Sequence, residues 1–96
     1  MSDTVTEAVA VLNQKLGDAG FDGTAKFDIE GEGAIMMDGN GARAADEAAD
    51  VTLSADADTF RSILDGDTNP TAAFMTGKLK VDGDMGMAMK LASVLA

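Results

Sequence analysis

A chain of 96 residues has room for one domain, which at this size buries roughly 60–70% of the surface its unfolded form exposes. Seventeen acidic residues against seven basic ones give a formal net charge of −10, which repels phosphate backbones and argues against nucleic acid as a partner. Without cysteine there is no disulfide framework or thiolate metal site, and without histidine neither the usual neutral-pH base nor the commonest zinc ligand.

Met1 is followed by Ser2, Asp3 and Thr4 rather than by a basic segment and an apolar run, and no apolar stretch approaches the ~20 residues that span a membrane. The expectation is a soluble, cytoplasmic protein. Thr4 and Glu7 have the spacing of a capping box, and Val5, Ala8, Val9, Leu12 and Leu16 recur at threes and fours, predicting an amphipathic helix that ends before Gly17. The loop Gly17-Asp18-Ala19-Gly20 leads through Phe21 to a stretch in which Ala25, Phe27 and Ile29 alternate with Thr24, Lys26, Asp28 and Glu30. That alternation predicts a strand with its apolar residues inward. A turn at Gly31-Glu32-Gly33 opens a second strand, Ala34-Ile35-Met36-Met37, apolar on both faces and so not at a fully exposed surface. Asp38-Gly39-Asn40-Gly41 contains two dipeptides favoured in type I′ turns, which predicts a hairpin into a short strand over 42–45.

Residues 46–50 read as a loop, followed by a strand at Val51-Thr52-Leu53-Ser54-Ala55. Asp56 or Asp58 begins a helix carrying Phe60, Ile63 and Leu64 on one side, and Gly66 stops it as a left-handed cap. Asn69 caps a short helix that starts at Pro70 and ends at Gly77. Leu79 and Val81 alternate with Lys78, Lys80 and Asp82 in a fifth strand, and Gly83 ends it. Asp84 then caps a last helix whose residues are apolar on nearly all sides, so it needs cover on more than one. The sum is an α+β fold, a five-stranded mainly antiparallel sheet with helices packed on one face, in a single domain over 1–96.

The short helix with Pro70, Ala73 and Phe74, the link Gly77-Lys78-Leu79-Lys80-Val81, then Gly83-Asp84 and Met85-Gly86-Met87-Ala88-Met89-Lys90-Leu91 resemble the C-terminal half of a sterol carrier protein 2 (SCP2) domain. Upstream, the order of elements is compatible with that family from about Thr4. The resemblance implies a non-enzymatic lipid carrier in which sheet and helices enclose an apolar tunnel, with no cofactor. Its walls would be Phe60, Ile63 and Leu64 on one helix, Phe74 and Met75 on the next, Leu79 and Val81 on the strand, and Met85, Met87, Met89, Leu91 and Leu95 on the last. The guest would be a fatty-acyl or sterol-like lipid, with Lys90 and Arg61 as the cationic candidates for a carboxylate head. Transient membrane contact would involve Lys78 and Lys80, and the carrier would be a monomer or at most a weak dimer. The C-terminal Ser93-Val94-Leu95-Ala96 is not the peroxisomal tripeptide of many eukaryotic members.

Other chemistries fit less well. The twelve residues from Asp38 lack the glycine at position six and the glutamate at position twelve of a calcium loop, having Arg43 and Ala49 there. Gly39-Asn40-Gly41-Ala42-Arg43-Ala44 matches a dinucleotide-binding pattern, but no helix of adequate length opens after it. Gly77-Lys78 lacks the rest of a P-loop. Asp56 with Asp58 and Asp65 with Asp67 lie in polar, turn-rich sequence, where carboxylates are solvated charge rather than a tuned acid/base pair. None of Ser2, Ser54, Ser62 and Ser93 has the Asp-Ser-Leu context of an acyl carrier. Six methionines, Met36, Met37, Met75, Met85, Met87 and Met89, sit in the apolar elements, where their flexibility suits either a core short of aromatics or a wall that adapts to a guest. The alternative function is an interaction or dimerisation module using the last helix.

Overall fold

The computed structural model describes residues 3–17 and 20–95, so Asp18 and Ala19 of the first loop lie outside the described residues. Helix α1 (Asp3–Leu16) buries Val5, Ala8, Leu12 and Leu16, the stripe expected from their spacing. Its start corrects the expected capping box: Asp3 is already helical, so Thr4 lies inside the first turn. Thr4 and Glu7 instead face Arg61, whose guanidinium donates to the Thr4 hydroxyl at 3.3 Å and lies 3.6 Å from the Glu7 carboxylate.

Strands β1 (Ala25–Glu30), β2 (Gly33–Asp38), β3 (Gly41–Ala44) and β4 (Val51–Asp56) follow, then helices α2 (Ala57–Asp65) and α3 (Pro70–Met75), strand β5 (Lys80–Gly83) and helix α4 (Met85–Leu95). The sheet order is β3-β2-β1-β4-β5, and every neighbouring pair is antiparallel except one. Strands β1 and β4 run parallel, with Phe27 beside Leu53 and Ile29 beside Ala55.

On the inner face Ala25, Phe27, Ile29, Ile35, Met37, Val51, Leu53 and Ala55 join α1, α2 and α4 in one core, where the Phe27 and Phe60 rings meet at 4.6 Å and a 59° tilt. Strand β2, expected away from a fully exposed surface, is buried on its other face too. Met36 points the other way yet is 2% exposed. Its register neighbours Lys26 and Arg43 bond to Asp46 at 3.0 Å and Glu47 at 2.8 Å, which holds the connection 45–50 across that part of the sheet. The free edge of β3 is closed by α1. The Asn13 side-chain amide donates to the Ala42 carbonyl at 3.0 Å, and its oxygen accepts from the Ala42 N–H at 2.8 Å, supplying at Ala42 the pairing that an edge strand lacks.

Candidate functional site

Local signals of the sequence shape the C-terminal third. Asp56 caps α2 by accepting from the Thr59 N–H at 2.7 Å, which holds its carboxyl below the ordinary aspartate range, and Gly66 closes the helix at φ 85°. Asn69 caps α3 the same way, accepting from Thr71 N–H at 2.8 Å and Ala72 N–H at 3.4 Å, with Pro70 at the first helical position. Past the end of α3, the N–H groups of Lys78 and Leu79 both donate to the Ala73 carbonyl, at 2.9 and 3.1 Å. This folds Leu79 back beneath the helix, where it is buried before β5 begins, so the strand starts later than the alternation predicts. Register then sets Val81 beside Leu53.

Helix α4 is tied at its start. The Asp84 N–H donates to the Asp50 carbonyl at 3.0 Å, and the Asp84 carboxylate accepts from the Met87 N–H at 3.2 Å. Gly83, at φ 109°, passes so close to the backbone of Asp50 and Val51 that a side chain there has no room. Beyond it the helix has three sides, two of them covered. Ala88, Leu91 and Leu95 enter the core. Met87 lies over Gly23, where a Cβ would meet its methyl group, and Lys90 approaches Asp22 at 3.5 Å. Met85, Ala88, Met89, Ala92 and Ser93 form the third side.

That third side faces a cleft of about 460 Å³, open to solvent, between α3, β5 and α4. Leu53, Leu79 and Val81 line it from the sheet side, and Asn69, Pro70, Thr71, Phe74 and Met75 complete it from α3. Among the described residues no acidic or basic side chain lines it, and the polar groups are those of Asn69, Thr71 and Ser93. Ser93 donates its hydroxyl proton to the Met89 carbonyl at 3.3 Å. The four exposed large hydrophobic side chains among the described residues, Phe74, Met75, Met85 and Met89, all stand at this one cleft.

Of the twelve residues expected to bind a ligand, Phe74, Met75, Leu79, Val81, Met85 and Met89 meet here. Phe60, Ile63, Leu64, Leu91 and Leu95 are in the core, and Met87 is on the Gly23 side of α4. Phe60 and Leu64 also border a smaller hollow of about 130 Å³ between α1 and α2, beside Arg61. Neither cationic candidate reaches the cleft, since Arg61 sits by Glu7 and Lys90 by Asp22. Ala88, Ala92 and Ser93 were missed, although they recur at threes and fours with Met85 and Met89. A helix turns about 100° per residue, so Met87 stands roughly 200° from Met85 and on another side.

The family model for the SCP-2 sterol transfer family matches residues 7–96. The chain belongs to that family. Among SCP-2 relatives, hydroxysteroid dehydrogenase-like protein 2 of Xenopus tropicalis is 51% identical over 47 residues, 49% of this chain and 11% of that protein. Sterol carrier protein 2 of Rattus norvegicus is 39% identical over 82 residues, 83% of this chain and 14% of that protein. The chain thus spans between a tenth and a fifth of the length of these relatives. Among solved SCP-2 folds, sterol carrier protein-2 from Aedes aegypti, in complex with the C16 fatty acid palmitate, superposes with a TM-score of 0.78 at 25% identity. The match covers 100% of this chain and 97% of that one.

Proposed function

We propose that this chain is a single SCP2-like domain that binds the hydrocarbon part of a fatty-acyl or sterol-like lipid in the α3–β5–α4 cleft and carries it, chemically unchanged, between membranes of the cytoplasm. The observation that carries the reading is the gathering of all four exposed large apolar side chains of the described residues around one uncharged hollow. Such a surface is costly to leave in water and marks a binding site. Its volume lies within the range of about 300–1,000 Å³ usual for small-molecule sites. The palmitate held by the Aedes relative supports the acyl class. Because the lining offers a guest neither an acid nor a base, it suits carriage rather than catalysis.

Burial of a methylene is worth about 0.8 kcal/mol, so a sixteen-carbon tail offers on the order of 12 kcal/mol before ordering costs. A head group gains little here: it lies at the mouth, in water or near Asn69, Thr71 and Ser93. Apolar walls separate neighbouring chain lengths by only about 1–3 kcal/mol, so the carrier accepts several lipids. The tail enters across the α3–α4 seam, and Met85 and Met89 give way as α4 shifts, extending the cleft into a tunnel over Leu53. Membrane contact is brief and made through this rim.

The exposed rim also favours a second reading, in which it docks on a second copy or another protein. Native mass spectrometry of delipidated protein with equimolar palmitate or cholesterol separates the two. Monomer carrying one lipid supports the carrier, and a dimer that takes up neither supports the module.

A further inference from the structure

Oxidisable side chains are distributed unevenly across this fold. The sequence has no cysteine, tryptophan or tyrosine, so methionine is its readily oxidised residue type. Met36 and Met37 are buried, and Met87 is half-buried against Gly23. Met75, Met89 and Met85 are 79%, 71% and 49% exposed, and all three line the same cleft, one from α3 and two from α4.

We propose that Met75, Met85 and Met89 form an oxidation-sensitive modification site, and that converting their thioethers to sulfoxides by hydrogen peroxide closes the cleft to lipid. The inference rests on the lipid-binding reading above and adds a means of regulating it. In the step itself, a sulfur lone pair attacks one peroxide oxygen. The S–O bond forms as the O–O bond breaks, and the second oxygen leaves as water with both protons. Sulfur loses two electrons and peroxide gains them, so no further reactant is required. The product is a strong hydrogen-bond acceptor where a soft apolar group stood.

The two states of the cleft respond differently. In the empty cleft the exposed sulfoxides stay hydrated, so the fold is undisturbed. In the loaded cleft a hydrocarbon lies against them, and the donors in the lining are few: the Asn69 amide and the Thr71 and Ser93 hydroxyls, the last already given to the Met89 carbonyl. A buried acceptor without a partner disfavours the loaded state. A hydrocarbon lying against these exposed sulfurs also shields them from peroxide, so bound lipid slows their oxidation.

The test treats the full chain with hydrogen peroxide, with and without palmitate, and follows each methionine by peptide mass mapping. Met75, Met85 and Met89 should oxidise before Met36 and Met37, and palmitate should slow them. The oxidised protein should keep its circular dichroism and bind palmitate at least ~10-fold more weakly, with affinity restored by methionine sulfoxide reductases. The variant Met75→Leu/Met85→Leu/Met89→Leu, measured against its own untreated affinity for palmitate, should lose none of it after peroxide. Reduced protein that takes up no palmitate overturns the lipid-cleft reading and this proposal with it. Reduced protein that binds, with oxidised protein binding equally well, overturns this proposal alone, as does a peroxide-induced loss that persists in the leucine variant.

Discussion

Ala92 sits half-buried on the cleft side of α4, and replacing it with tryptophan puts a large ring where the proposed guest would lie. An aromatic side chain covers ~150–250 Å². At about 25 cal/mol per Å², the ligand forfeits up to about 4–6 kcal/mol of burial. Half of that weakens palmitate binding ~100-fold. Because the cleft opens to solvent, the indole fills existing space without displacing Leu91 or Leu95, and the urea midpoint should not fall. The chain has no tryptophan or tyrosine of its own, so the new residue is also the only indole signal for a fluorescence titration. Ala92→Leu, adding three carbons, should fall between wild type and Ala92→Trp. A folded Ala92→Trp protein that binds palmitate with wild-type affinity would refute the placement of the guest.

The two sides of α4 predict opposite outcomes for stability. Leu91→Ala should cost about 2–5 kcal/mol in urea unfolding because Leu91 is fully buried, whereas Met89→Ala on the exposed rim should stay within about 0.5 kcal/mol; equal effects would mean the helix is rotated. Asn13→Ala removes both hydrogen bonds to Ala42 and should cost roughly 1–2 kcal/mol, with faster amide exchange along β3; unchanged exchange would count against the edge closure. Asp38 is held below the ordinary aspartate value by the Arg43 guanidinium and then the Asn40 N–H, and Asp56 by the Thr59 N–H and then its hydroxyl. Both have depressed folded values, so their stabilisation is complete above the unfolded value of about 3.9 and is lost as pH falls through the folded ones. Carbon-13 carboxyl titration should place both below that value, and a midpoint at or above it for Asp56 would contradict the cap.

The element boundaries were most legible where a residue acts on its own backbone. Asp56, Gly66, Asn69 and Pro70 begin or end helices as their local chemistry dictates, and the turn at 38–41 joins two antiparallel strands. Long-range pairing was not legible. Nothing in the alternation of Val51, Leu53 and Ala55 says that β4 lies parallel beside β1, because that order depends on the connection 45–50 crossing the sheet under the Lys26 and Arg43 ion pairs. Thr4 and Glu7 matched a local motif but serve Arg61, 57 residues away in the case of Thr4. At the cleft, composition marked the right helix, yet taking Met85, Met87 and Met89 together overlooked the turn of the helix. Spacing at threes and fours would have selected Met85, Ala88, Met89, Ala92 and Ser93.

The six methionine methyl groups in the described residues provide the most direct test, because they stand both at the cleft and away from it. In protein labelled with carbon-13 at those methyls, added palmitate should move the resonances of Met75, Met85 and Met89 and give contacts to ligand methylenes, while Met36 and Met37 stay in place. Resonances that do not move, or contacts from palmitate to Met36 alone, would contradict a lipid held between α3, β5 and α4.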